Sequence, residues 1–172
     1  MTNETFEQWV DAHQRRIARL ASRLLGWRAH EAEDVVQEVF LRAWRKRESF
    51  RGDSDVSTWL TRITINCCRS RQRKWMTRMK HWLPLTRQAS LADDGSPTDR
   101  LDGEETAAAV RAAVQQLPAR DRELIVLRYL EELSVSQVAE LVNLSPSAVS
   151  VRLHRARKKL ESSLSKYRED GP

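Results

Sequence analysis

Residues 134–159, SVSQVAELVNLSPSAVSVRLHRARKK, admit little besides two helices joined by a tight turn. Val135, Val138, Ala139 and Val142 recur at the three- and four-residue steps that line one helical face, and Ser134 stands at the N-cap position. Asn143 tolerates the left-handed backbone that ends a helix, so Asn143, Leu144 and Ser145 form the turn. Ser145 and Pro146 then restart the chain as N-cap and first helical residue, where the missing proline N–H costs nothing. Val149, Leu153, Ala156 and Leu160 form the inner row of the second helix, which leaves Ser147, Ser150, Val151, Arg152, His154, Arg155 and Lys158 facing outward. Small residues lead and cations follow. Such a helix can place its N-terminal end in a major groove while later Arg and Lys side chains meet phosphates. Taken alone, the stretch also fits an ordinary helical hairpin with a solvated basic face.

Composition narrows the rest. A chain of 172 residues with 40% hydrophobic content holds one medium domain or two small ones with compact cores. Five Gly, five Pro and only five Phe and Tyr together, against abundant Ala, Leu, Arg and Glu, favour an all-α fold over sheets. The formal charge of +6 points to a polyanionic partner only if the excess is concentrated, because 24 acids accompany the 30 bases. Cys67 and Cys68 are adjacent, a spacing that rarely meets disulfide geometry, and read as small buried apolar residues in a reducing compartment. His13, His30, His81 and His154 are scattered without ligand spacing, so no metal, cofactor or small-molecule substrate is expected. The acidic N-terminus is no signal peptide and no apolar run reaches transmembrane length, which predicts a cytoplasmic protein.

Along the chain, Phe6, Val10, Ile17, Leu20, Ala21 and Leu24 trace a first amphipathic helix that stops near Gly26. A second runs from about His30 to Lys46, with Ala32, Val35, Val36, Val39, Phe40, Ala43 and Trp44 inward and Glu33, Asp34, Gln37, Glu38 and Leu41 or Arg42 towards the other side. Its acids precede its bases, as the helix dipole prefers. A polar loop from Phe50 to Val56 leads to Ser57, the expected cap of a third helix carrying Trp59, Leu60, Ile63, Thr64 and Cys67. Charge is concentrated beyond Asn66: Arg69, Arg71, Arg73, Lys74, Arg78, Lys80 and Arg87 follow with no acid before Asp93. Trp75 and Trp82, interleaved with these cations, either stack on bases or anchor packing. Pro84, Gly95, Ser96, Pro97 and Gly103 among six acids mark a linker that spans up to about 70 Å when extended. Two small helical domains on a tether follow, at 1–82 and 105–168, with the linker at 83–104. In the second, Ala109, Val110, Ala113, Val114 and Leu117 mark a helix stopped by Pro118. The next runs from Asp121 to Leu133, with Leu124, Leu127 and Leu130 as its inner row and Val126 and Tyr129 beside them.

These segments, in this order, resemble bacterial RNA polymerase sigma factors of the extracytoplasmic-function type, and the likeness covers most of the chain. DVVQEVFLRAW, from Asp34, is similar to the region-two helix that docks on the polymerase clamp. FRGDSDVSTWLTRITINCCRSRQRK is similar to the loop and helix that open the minus-ten element, and the segment from Leu117 to Leu160 resembles region four, which reads the minus-thirty-five element.

The resemblance implies roles that spacing does not. Asp34, Gln37 and Glu38 would meet core RNA polymerase at its beta-prime clamp, and region four would meet the beta flap. Phe50, Arg51, Gly52, Asp53 and Ser54 would belong to the loop that captures an extruded base, with Trp59, Ile63 and Asn66 near it. Arg62, Arg69, Arg71 and Arg73 would hold backbone phosphates. The outward row from Ser147 to Lys158 would read promoter DNA, and the linker would thread through the polymerase. An anti-sigma factor, often membrane-bound in this family, is the further partner implied. The chain departs from the family at 147–151: many members have GTVKS there, and here Ser150 stands in place of the lysine. A free-standing DNA-binding regulator and a DNA-acting enzyme are the competing classes; no acid cluster or nucleophile context supports the enzyme.

Overall fold

The computed structural model describes residues 3–50, 55–82 and 104–165. Arg51 to Ser54 of the expected base-capturing loop and residues 83–103 of the expected linker lie outside the described residues. The chain divides into two compact units, Met1–Gly95 and Ser96–Pro172. Both are built from helices, with no strand among the described residues.

The first unit packs three helices pairwise: α1 (Asn3–Leu24), α2 (Ala29–Lys46) and α3 (Val56–Trp82). Ile17, Leu20, Ala21 and Leu24 of α1, with Leu25 just past its end, meet Ala32, Val35, Val39 and Ala43 of α2 and Leu60, Ile65, Cys67 and Cys68 of α3 in its core. Each large aliphatic side chain fully buried there contributes about 1.5–3 kcal/mol. The α1 periodicity therefore holds for its C-terminal half, whereas Phe6 and Val10 are only half-buried. The helix ends in a Schellman arrangement: the Gly26 N–H donates to Arg23 C=O and the Trp27 N–H to Ser22 C=O. Gly26 takes φ 74°, the left-handed conformation that costs glycine little. Gln72 Nε2 donates to Leu24 C=O at 3.0 Å and so joins α3 to this same end.

Two details of α3 differ from expectation. Its cap is Asp55, whose carboxylate accepts from the Ser57 N–H at 3.2 Å, and not Ser57 itself. The aspartate lies just ahead of the first helical turn, where its charge meets the positive end of the helix dipole. Trp75, for its part, is neither core nor a bare stacking surface: it is 36% exposed, with the Arg28 guanidinium 4.7 Å from its ring centroid.

The second unit contains α4 (Glu104–Gln116), α5 (Ala119–Ile125), α6 (Val135–Val142) and α7 (Pro146–Leu164). Between α5 and α6 the chain widens into a π-turn over Val126–Leu130, closed by the Glu131 N–H donating to Val126 C=O. The wide turn breaks the expected row of Leu124, Leu127 and Leu130. An i to i+5 turn advances less per residue than an α-helix, so Leu130 is carried outward to 40% exposure and Tyr129 to 45%. Leu124 and Leu127 keep their expected places in the core, and Ile125 and Val126 join them there.

The turn chemistry around α6 forms as its residues dictate. Ser134 and Gln137 make a reciprocal capping box, Asn143 adopts φ 58° and ψ 55°, and the Ser145 hydroxyl accepts from the Ala148 N–H. Because a β-branched side chain is unfavourable in the left-handed region, Asn143→Val should destabilise the protein by about 1–2 kcal/mol. Asn143→Gly should be neutral or stabilising. Thermal denaturation of the full chain compares the two.

Candidate nucleic-acid interface

Helix α7 places three side chains inward, Val149, Leu153 and Ala156, and these pin it against the rest of the second unit. Burying them turns Ser147, Ser150, Val151, Arg152, His154, Arg155 and Lys158 to the outside, and all seven are exposed. The row is thus continuous from the N-terminus of the helix to its fourth turn. Val151 is 51% exposed and supplies an apolar contact among hydroxyls, of the kind that reads a thymine methyl. A shallow groove beside it is lined by Asp121, Arg152, Arg155, Lys158 and Lys159. Lys159, absent from the sequence-based set, donates to Asp121 of α5 at 2.5 Å and ties the helix to its support. Its place in a run of cations conceals that role.

The first unit offers a different surface. Trp59 and Phe50 are half-buried and in ring contact, with centroids 5.1 Å apart, and Ile63 is buried at 9% exposure. Ile63 therefore supports the helix from within. Arg62, Asn66, Arg69 and Arg73 follow one another at four-, three- and four-residue steps and share one stripe of α3. Arg62, Asn66 and Arg73 are exposed and Arg69 is half-buried. A second groove, lined by Ser70, Arg73, Lys74, Thr77 and Arg78, continues the cationic surface beyond that set.

On α2, Asp34 and Gln37 are exposed on the same face as Leu41, an apolar side chain at 44% exposure. Glu38 is half-buried and accepts from Arg42 Nε at 2.6 Å. That hydrogen bond holds the Arg42 guanidinium more firmly charged than usual. Asp34 does not stand alone either: Arg71 of α3 donates to it. One acid assigned to polymerase and one cation assigned to DNA are thus partners in the free protein.

Cys67 and Cys68 are buried, as their apolar reading expects. Burial pushes the Cys67 thiol above the usual thiol pKa, a shift that the nearby Arg42 charge only partly offsets. The thiol is therefore protonated at neutral pH and a poor nucleophile. Its contribution to stability is complete below the unfolded thiol pKa and is lost as pH rises through the folded value. Alkylation of Cys67 at pH 8, followed by mass spectrometry, should be slower in the folded protein than after denaturation.

Residues 9–76 match the family model for sigma-70 region 2, and residues 107–160 match that for sigma-70 region 4. The order and spacing define a two-region sigma factor. A curated relative from Bacillus subtilis (strain 168), the ECF RNA polymerase sigma factor SigW, is 34% identical over 94% of this chain and 89% of its own length. The RNA polymerase sigma-H factor of Pseudomonas aeruginosa is 32% identical over 92% of this chain and 86% of its own. Two solved structures share the fold. RpoE from Bartonella quintana, in complex with the anti-sigma factor NepR, superposes with a TM-score of 0.75 at 25% identity, covering 94% of this chain and 98% of that one. CnrH, in complex with the cytosolic domain of CnrY, gives 0.67 at 28% identity, covering 96% and 90%. The chain belongs to the ECF RNA polymerase sigma factors, and it is an alternative sigma factor of transcription initiation.

The outward row of α7 carries a direct prediction. Arg155→Ala should weaken duplex binding across sequences and reduce the slope of log affinity against log salt by about one unit. A titration at several salt concentrations measures it.

Proposed function

We propose that this sigma factor docks on core RNA polymerase through the Asp34, Gln37 and Glu38 face of α2, against the beta-prime clamp, and through its second unit against the beta flap. The factor is non-catalytic: it contributes binding, and the polymerase contributes chemistry. Residues 1–82 engage the polymerase and the minus-ten element, residues 105–168 engage the minus-thirty-five element, and 83–104 link them. The observation that carries this reading is the pair of region models, in order, on one chain whose α7 presents an uninterrupted outward row of small and cationic residues.

Opening a promoter without a nucleotide cofactor requires that the factor bind the unpaired strand better than the duplex. The segment from Phe50 to Ser54 captures an extruded base, and Arg62, Arg69, Arg71 and Arg73 hold the adjoining backbone; stacking and base-edge contacts in such a pocket supply the preference. Trp59 and Asn66 border it, and Ile63 fixes the helix behind them. In region four Ser147, Ser150 and Val151 read base edges, while Arg152, His154, Arg155 and Lys158 meet base edges or phosphates.

Control by an anti-sigma factor follows from the relatives. RpoE is held by NepR and CnrH by the cytosolic domain of CnrY. A partner with a cytosolic domain fits an inhibitor anchored in the inner membrane that holds this cytoplasmic factor until a signal releases it. Among the described residues no helix of the factor itself is long and apolar enough to cross a membrane.

Reconstitution with core RNA polymerase, followed by sequencing of transcript starts, tests the whole reading. The expected result is association and initiation at sites that share two spaced boxes; tight duplex binding at two-fold symmetric sites without polymerase would indicate a free-standing regulator instead. Asp34→Arg should weaken core association by about tenfold or more, equivalent to about 1.4 kcal/mol, and lower the thermal midpoint only slightly, because the Arg71 pair it breaks is solvent-exposed.

A further inference from the structure

The outward face of α2 and the cationic surface of α3 meet at one ion pair. Asp34, on the face that carries Gln37 and Leu41, accepts a hydrogen bond from Arg71, and both side chains reach solvent. Two other acids of α2 are tied locally, Glu31 to Arg28 three residues before it and Glu38 to Arg42 four residues after it. Asp34 is paired instead across to the neighbouring helix, 37 positions along the chain.

The frame that brings the two side chains together is fixed on both sides. Val35, next to Asp34, and Cys67 and Cys68, one turn before Arg71, are buried in the core. Immediately after Arg71, Gln72 Nε2 donates to Leu24 C=O at 3.0 Å. At the start of the same helix Arg16 donates to Ser57 C=O at 2.9 Å and to Thr61 Oγ1 at 2.6 Å. Backbones held in this way leave side-chain rotation as the route by which the pair opens. Exposed side chains rotate on the picosecond-to-nanosecond scale, so energy and not rate governs the exchange of partners. For a solvent-exposed pair that energy corresponds to a factor of up to about five in an equilibrium.

We propose that the Asp34–Arg71 pair couples the two engagements of the first unit, so that docking on core RNA polymerase and binding of the DNA backbone each favour the other. The inference rests on the assignment of the α2 face to polymerase and of Arg71 to backbone phosphate. In the free chain each partner meets the wrong charge: a phosphate nearing Arg71 meets the Asp34 carboxylate, and a polymerase cation nearing Asp34 meets the Arg71 guanidinium. Whichever partner binds first opens the pair, and the second finds its residue already released. Linkage makes the gain equal in the two directions. The first unit therefore holds DNA better once it has docked, with no movement of a domain.

The test uses the full chain and core RNA polymerase, with a non-template oligonucleotide that carries the minus-ten element of a promoter the holoenzyme opens. Arg71→Met removes the donors and keeps the apolar stem, and Arg71→Lys keeps a cation for Asp34. Lys74→Gln, one turn further along α3 and exposed, removes a charge from the same surface as a control. Without DNA, Arg71→Met should tighten core association by about two- to fivefold, while Arg71→Lys and Lys74→Gln remain near the wild-type value. In the Asp34→Asn background that gain should vanish. With the oligonucleotide, Arg71→Met should weaken binding by the holoenzyme about two- to fivefold more than it weakens binding by the free chain.

Core association that is unchanged or weaker in Arg71→Met overturns the proposal. A gain that persists beside Asp34→Asn does so too, because it marks plain repulsion between Arg71 and polymerase, as do equal losses of oligonucleotide binding in the free chain and the holoenzyme. If Arg71→Met fails to fold, as judged by circular dichroism, Arg71→Gln makes the same comparisons. Asp34→Asn by itself separates the two levels. If it leaves core association intact, the docking assignment fails and the inference falls with it; if it weakens core association while Arg71→Met does not tighten it, the inference alone fails.

Discussion

The packing of one helix against two others decides where everything in the first unit lies. From Leu60 to Cys68, α3 is wedged against α1 and α2, and Leu60, Thr64 and Ile65 are fully enclosed. Thr64 enters such a core because its hydroxyl donates to the Leu60 carbonyl one turn earlier at 2.8 Å, which removes the cost of burying it unpaired. From Arg69 onward the same helix carries a dense cationic surface with Trp75 and Met76 in the open. A single helix of 27 residues, about 40 Å long, thus joins core to surface without a hinge. The direction in which its arginines face is set by Leu60, the isoleucines and the cysteines behind them.

The electrostatics of that surface are mild. Arg71 and Asp34 are 38% and 59% exposed, and a solvent-exposed pair of this kind contributes about 0–1 kcal/mol. Such a pair holds the side chains in place in the free protein and is given up readily to a better partner on either side. Lys159 and Asp121 are a firmer union, since Asp121 is only 18% exposed, and they brace α7 against α5. One pair is suited to exchange and the other to support.

How much of this could be read beforehand depended on the range of the interactions. The helix-turn-helix was legible to the residue because its signals are local: a capping serine, an asparagine able to turn left-handed, and a serine followed by proline. The three-helix core of the first unit followed from periodicity, although α1 buries only its second half. The Arg71–Asp34 pair, the Arg28–Trp75 stack and the hold of Arg16 on Thr61 join residues between 37 and 47 positions apart, and no spacing announces them. Ser57 was read as the cap of α3, and the backbone geometry gives that place to Asp55, two residues earlier. The roles given to individual residues came from likeness to a family, which the comparisons extend to the chain as a whole.

The π-turn at Val126–Leu130 amounts to one residue more than an unbroken helix would need. In a regular helix each residue turns the chain by about 100°, so removing one here would rotate all that follows against α4 and α5 by a large fraction of a turn. Helices α6 and α7 move together through that angle, because they are joined by a three-residue turn and packed on each other. The heading of the outward row of α7 is therefore set some twenty residues upstream of it, in a stretch that contributes no side chain to that row.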